Sequence, residues 1–377
     1  MSFSCYDGCI ERIVGMGDRD HWTGMVQTGV KRILDANLDR AREGLRIIEE
    51  WCRFGLNHTD FTEECKHLRQ EVARWHSPEI RLARDTPGDP GTDLTHPQEQ
   101  QRSSVQQVLH VNFARIQEAM RVLEEYGKLY SPEMGAAFKQ MRYRVYTLES
   151  NLSAHQRHNK LLRSFLYLIT SPVENLVGTV EAALRGGVTL VQYRDKTAGG
   201  DTLLQNAYQL RELCHRYEAL FIVNDRPDIA LAVDADGVHL GQQDMSVAAA
   251  RKILGNDRLI GRSTTNPDEL YRALQEGADY VGVGPIYETP TKAGKAAVGT
   301  DYIRHAVAHT PVPWFAIGGI DTNNVKEVLD AGAERVSVVR AIMNAEQPTL
   351  AVQYFLSQLH AKQVTLAHDT RNQSHHG

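Results

Sequence analysis

Cysteine is scarce and scattered: five residues in 377, at Cys5, Cys9, Cys52, Cys65 and Cys214. That is not the clustered framework of a disulfide-stapled secreted domain. Cys5 and Cys9 have the spacing of half a zinc site, but no second Cys/His pair stands nearby to complete it, so all five read as reduced thiols. No apolar run reaches the roughly 18 residues of a membrane span. The first residues turn acidic and polar before any apolar run, unlike a signal peptide. Cytoplasmic location is therefore expected, with no membrane partner. Aromatics make up 7% of the chain and the formal charge is −5, which argues against a general nucleic-acid binder. No G-x-G-x-x-G follows the first predicted strand, which weighs against a doubly wound dinucleotide fold, the alternative α/β architecture.

What the sequence does contain divides it in two. Residues 1–27 show little periodicity. From Lys31 to Ser153 the pattern is helical, broken by the turn formers of Asp85-Thr86-Pro87-Gly88-Asp89-Pro90-Gly91-Thr92. Asn37–Glu50 and Asn112–Glu125 share the frame N-x-x-R-x-x-E-x-x-R-[IV]-[IL]-E-E, and Cys65–Arg69 is echoed by Phe138–Arg142. Two helix–helix units related by a pseudo-twofold account for both echoes. The repeated Asn, Arg and Glu fall at steps of three, along one side of each helix. Such a face is either a solvated, ion-paired surface or the lining of an anion pocket or subunit contact. The polar stretch Ser150–Lys160 reads as a linker. The expected domains are thus an all-α unit at 1–155, a second unit at 160–362 and a polar tail at 363–377.

In the second unit short apolar runs alternate with amphipathic ones. Strands are expected at Phe165–Ile169, Thr189–Tyr193, Leu220–Val223, Gly237–Leu240, Leu259–Gly261, Tyr280–Val283, Trp314–Ile317 and Val336–Val339. Helices are expected at Asn175–Arg185, Leu203–Tyr217, Val247–Leu254, Asp268–Gln275, Tyr302–Ala308 and Val325–Ala331. Eight β/α units in about 200 residues predict an α/β TIM (β/α)8 barrel.

The polar motifs sit just after these strands, where a parallel barrel gathers its loops at one mouth. Asp225 after strand three and Asp244 after strand four can share one cation, and oxygen ligands with a phosphate partner favour magnesium. Arg194 can grip a phosphate with two parallel donors, and Lys196 adds a mobile charge. Gln192 points inward by the period-two rule, and Tyr193 turns away. Thr289-Pro290-Thr291-Lys292 offers hydroxyls and an ammonium to an oxyanion. Gly318-Gly319 and Val339-Arg340 suit a phosphate site of backbone amides.

In order along the chain, Q-Y-R-D-K, N-D, D-G-V-H-L-G-Q-Q-D, G-R-S-T-T-N, G-P-I-Y-E-T-P-T-K and A-I-G-G-I make residues 160 to 360 closely resemble the thiamine phosphate synthases. These TIM-barrel transferases join a pyrimidine diphosphate to a thiazole phosphate, or its carboxylated form. The resemblance implies that Gln192, Tyr193, Arg194, Asp195, Lys196, Asn224, Ser263 and Lys292 serve the pyrimidine diphosphate. Asp225 and Asp244 would hold magnesium, and Thr289, Pro290, Thr291, Gly319, Val339 and Arg340 the thiazole phosphate. Arg194, Lys196, Ser263 and Lys292 are the catalytic candidates. Many members carry serine where this chain has Arg340, so either guanidinium or backbone amide can make that contact. The helical extension is similar to those linked to thiamine synthesis and to action on the pyrimidine phosphate, yet no P-loop or kinase lysine motif stands in it.

A sugar-phosphate isomerase or aldolase barrel is the rival enzyme, but it would want a general base or Schiff-base lysine rather than paired aspartates. A reading from another class makes the helical half a dimerisation or regulatory module, and a homo-oligomer is accordingly expected.

Overall fold

The structure, a computed structural model, describes residues 16–89, 102, 104–289 and 296–373. The chain forms two compact units, one ending at Leu152 and the other beginning at Ser153. The first comprises α1 (Met16–Glu50), α2 (Thr59–Arg74), α3 (Pro78–Leu82), α4 (Val105–Tyr130) and the larger part of α5 (Pro132–Leu162). Leu34, Leu38, Leu45 and Ile48 of α1 recur at helical spacing and are fully buried with Phe113, Ile116, Met120 and Leu123 of α4. Gly44 lets α1 and α4 approach, because a Cβ there would lie 2.6 Å from Ile116 Cγ1. Residues 16–27, read from the sequence as irregular, begin α1. Cys5, Cys9 and residues 90–92 lie outside the described residues.

The second unit alternates β1 (Leu166–Ile169), α6 (Leu176–Arg185), β2 (Leu190–Tyr193), α7 (Gly200–Arg216), β3 (Leu220–Asn224), α8 (Pro227–Ala232), β4 (Gly237–Leu240), α9 (Val247–Leu254), β5 (Leu259–Thr264), α10 (Pro267–Gln275), β6 (Tyr280–Val283), α11 (Gly299–His309), β7 (Trp314–Ile317), α12 (Val325–Asp330) and β8 (Val336–Val338). The short α13 (Arg340–Met343) and the long α14 (Pro348–Gln373) follow. All eight strands pair in parallel and in sequence order, and β8 closes on β1. The predicted barrel is therefore the fold.

Alternation of side chains builds two cores from one set of strands. Tyr167, Ile169, Leu190, Leu220, Ile222, Leu259, Tyr280 and Phe315 form the barrel interior. Leu168, Val191, Phe221, Val238 and Ile260 pack outward against the helices. Asn175, Ser246 and Asn266 each accept a backbone N–H of the following helix, which ends the preceding loop cleanly.

Two further sequence readings differ from the structure, and one helix had no counterpart among the expected elements. Ser150–Lys160 is helix, not linker. Its polarity serves anchoring: Arg157 Nε lies 3.0 Å from Asp236 Oδ1, Arg157 Nη1 3.0 Å from Asp257 Oδ2, and Lys160 Nζ donates to Glu218 O at 3.1 Å. The tail expected from residue 363 continues α14 to Gln373. Finally α8, six residues long, is too short to show helical periodicity and was not anticipated.

Candidate functional site

The loops after β2, β3 and β4 bring charge to one place. Lys196 Nζ lies 3.2 Å from Asp225 Oδ2. Asp225 adopts φ 61°, a left-handed conformation that aspartate tolerates better than most residues, and its N–H donates to His239 O at 2.9 Å. Asp244 Oδ2 accepts from the Gly241 N–H at 2.6 Å. Burial and the neighbouring Asp225 carboxyl raise the Asp244 pKa above the ordinary range. Arg194 is half-buried, and desolvation lowers its pKa against the opposing pull of Asp225 and Asp195. Two carboxylates that share a site repel unless a proton or a cation lies between them. That donor set fits magnesium, which takes one or two carboxylates and fills the rest of its shell with water and phosphate oxygens. Among the described residues no cluster of three or more His, Cys, Asp or Glu side chains is placed to hold a metal.

Beside this pair, Asn224 ends β3, and Gln192 and Ser263 are buried in the barrel interior. Gln192 Nε2 donates to Tyr167 Oη at 2.7 Å, and Ser263 Oγ lies 2.9 Å from His239 Nε2. Two predicted contacts are used elsewhere. Tyr193 faces the strand–helix layer, where its hydroxyl accepts from Asn206 Nδ2 at 3.3 Å; its side chain is not at the mouth. Asp195 closes its own loop by accepting from Thr197 N and Oγ1, both at 2.8 Å, and from Ala198 N at 3.0 Å. Burial works against that carboxylate, but these hydrogen bonds and Arg194 hold its pKa below the usual range.

A cavity of about 300 Å³ opens at β7 and β8, lined by Thr289, Gly318, Gly319, Ser337, Val339 and Arg340 among others. Gly318 and Gly319 have φ of 105° and 67°. A Cβ on Gly318 would lie 2.5 Å from Pro285 Cα, and one on Gly319 2.8 Å from Tyr287 Cβ. Glycine is required here twice over, by conformation and by space. Thr289, Gly319, Val339 and Arg340 are thus brought together. Pro290, Thr291 and Lys292 lie outside the described residues.

Sequence reasoning passed over Thr170, whose Oγ1 accepts from the Arg194 N–H at 2.9 Å and so sets the start of the basic loop. Its only signal was its place at the end of an apolar strand. It also passed over His239, Tyr167 and Tyr280, all inward by the period of two.

In the helical unit the repeated frame makes equivalent contacts in both copies. Buried Glu49 is held by Arg46 and by Arg69 of α2, with Arg69 Nε at 2.9 Å. Buried Glu124 is held by Arg121 and by Arg142 of α5, again with the Nε at 2.9 Å. Asn37 and Asn112 each donate to the carbonyl four residues before. Glu49 and Glu124 of the frame thus form seams to a neighbouring helix with Arg69 and Arg142, the last residues of the shorter echo. Asn37 and Arg40 also line a cavity of about 390 Å³ with Arg32, Asp35, Asp39 and Arg84. Asp35 is buried, accepting from His76 Nε2 at 2.7 Å and from Arg84 Nε at 2.7 Å. Burial would raise its pKa, but these partners hold it below the ordinary value.

Comparison with known proteins places both units. A family model described as Thiamine monophosphate synthase matches residues 166–342, and one described as the ThiD2 family matches residues 32–151. A Thiamine-phosphate synthase of a Nostoc species is 69% identical over 89% of this chain and 95% of its own length. One from a Synechocystis species is 60% identical over 88% of this chain and 97% of its own. Among solved structures, Thiamine phosphate pyrophosphorylase from Pyrococcus furiosus superposes with a TM-score of 0.50 at 37% identity, covering 54% of this chain and 98% of that one.

Proposed function

The chain belongs to the thiamine-phosphate synthase family, and on that premise we propose how its barrel joins an aminopyrimidine methyl diphosphate to a thiazole phosphate. One observation carries the assignment of parts. The charged cluster of Arg194, Lys196, Asp225 and Asp244 and the glycine-lined cavity of Thr289, Gly319, Val339 and Arg340 both stand at the ends of barrel strands, as two differently phosphorylated substrates require.

Asp225 and Asp244 would hold magnesium, which supplies charge neutralisation at the diphosphate when bound. Arg194 and Lys196 grip the leaving group, assisted by Lys292. The C–O bond at the pyrimidine methylene breaks, its electron pair departs with the diphosphate, and the aminopyrimidine ring stabilises the cation left behind. Gln192, Asn224 and Ser263 orient that ring. Thr289 and the amides around Gly319 and Arg340 anchor the thiazole by its phosphate, so that its ring nitrogen attacks the methylene carbon and forms the C–N bond. No protein nucleophile takes part. Positioning and preorganised charge supply the acceleration.

Supplying the purified chain with both substrates and magnesium should release diphosphate and thiamine phosphate in equal amounts, and a chelator should stop both. Product formation without diphosphate release would sink the mechanism.

A further inference from the structure

The two carboxylates assigned to the cation are held in different ways. Asp225 follows β3 directly, and its N–H donates to His239 O at 2.9 Å, so the main chain of β4 pins it. Asp244 lies on the turn Gly241–Ser246, beyond Leu240 and Arg262, the last paired residues of β4 and β5. That turn closes on itself. Gly241 N–H donates to Asp244 Oδ2 at 2.6 Å, and Asp244 N–H donates to Gly241 O at 3.2 Å. These bonds fix the carboxylate relative to its turn, but not the turn relative to the barrel.

Two side chains from opposite sides do the second job. Gln242 Nε2 reaches from the turn to β5 and donates to Ser263 O at 2.6 Å. Arg262 Nη1 reaches from β5 to the turn and donates to Met245 O at 2.8 Å. Both acceptors are main-chain carbonyls, so the direction of each bond is fixed by chemistry. The turn is thus gripped at Gln242 and at Met245, on either side of Asp244. By the period of two, Ile260 and Arg262 point outward from β5, and Ile260 is fully buried against the helices. Arg262 is itself only 5% accessible. Burying a guanidinium is costly, and an apolar side chain would fill that layer without the cost. What the arginine adds over an apolar residue is its reach to the Met245 carbonyl.

We propose that Gln242 and Arg262 are positioning residues for the cation site, clamping the Asp244 turn to the end of β5 so that its carboxylate stands in register with Asp225. They act through Asp244 rather than on the cation. Because Gln242 grips the carbonyl of Ser263, the same clamp joins the cation side of the mouth to a residue assigned to the pyrimidine ring. Groups that orient a metal ligand commonly contribute tenfold to a hundredfold in metal affinity. The proposal rests on the assignment of Asp225 and Asp244 to a divalent cation.

Manganese(II) serves as a paramagnetic probe in place of magnesium, and its binding to the full chain is read by electron paramagnetic resonance in the presence of inorganic diphosphate. Arg262→Met keeps the bulk and removes the donors, and Gln242→Met does the same at a half-buried position. With circular dichroism unchanged, each should weaken manganese binding at least about tenfold. Arg262→Lys, which keeps the charge and a donor, should recover most of that loss. The magnesium concentration for half-maximal turnover should rise in parallel, while KM for the thiazole phosphate should not move. General loosening of the barrel would move both. Gln242→Met alters no buried charge, so it decides the matter if Arg262→Met does not fold. Unchanged manganese affinity in a folded variant, or equal loss toward manganese and the thiazole phosphate, overturns the clamp alone. A parent chain that binds no manganese in the presence of diphosphate overturns the cation assignment and the clamp with it.

Discussion

Each aspartate at the mouth has a distinct local cause for its position. Asp225 is turned by its positive φ and Asp244 is fixed by the Gly241 amide. Replacing both by asparagine removes the charge for a divalent cation while keeping shape. Asp225→Asn with Asp244→Asn should abolish magnesium-dependent turnover and leave the melting temperature within a few degrees of the parent, measured by thermal shift beside the activity assay. Full activity would refute the assignment. The raised pKa of Asp244 adds a pH signature. A carboxyl whose folded-state pKa is raised contributes stability below its unfolded value and loses it as pH rises through the folded one. Magnesium should relieve that loss, so the melting temperature should rise with magnesium at pH 8 and much less at pH 4, where protons compete. An equal rise at both values would place the bound cation elsewhere. At the other cavity, Thr289→Ala should raise KM for the thiazole phosphate about tenfold while leaving that for the pyrimidine diphosphate nearly unchanged. Steady-state titration of each substrate separates the two.

At the scale of elements, the strands were readable from the sequence because a parallel barrel strand is short, apolar and bounded by turn formers. Leu220–Asn224 and Tyr280–Val283 show that directly. The site motifs were readable for a related reason, since they stand where an apolar run gives way to charge. Three kinds of residue escaped. Alpha8 is too brief for a 3.6-residue period, Arg157 and Lys160 looked like linker because their partners are distant in sequence, and Tyr167 and Tyr280 looked like plain core. In the last two cases the deciding contact is long-range, and local pattern carries no trace of it. The turn after β7 shows the opposite limit, with both conformation and space written into Gly318-Gly319. Gly318→Ala adds a Cβ 2.5 Å from Pro285 Cα at a φ of 105°. It should cost about 1–3 kcal/mol of stability and reduce affinity for the thiazole phosphate. Urea denaturation and thiazole-phosphate titration read the two effects, and a neutral result in both would show that the turn relaxes freely.

At the scale of the molecule, two units carry separate cores, and the coupling chemistry assigned above draws only on residues of the second. The helical unit has its own interior, its own Glu–Arg seams and its own polar cavity around Asp35. We therefore expect the barrel to couple its two substrates unaided, and where it is cut decides whether that can be observed. Arg157 is largely buried between Asp236 and Asp257, and Leu161 is fully buried in the barrel interior. A chain begun at Arg163 would lose Leu161 and leave both carboxylates without that partner. Truncating a buried leucine costs about 2–5 kcal/mol, enough on its own to threaten a domain of ordinary stability. A chain begun at Ser153 keeps these contacts. Residues 153–377 should be soluble and show kcat/KM within about threefold of the full chain, whereas residues 163–377 should melt markedly lower. If residues 153–377 fold, by circular dichroism and thermal melting, yet turn over only when the helical unit is added back, the active site draws on both units and the division argued here is wrong.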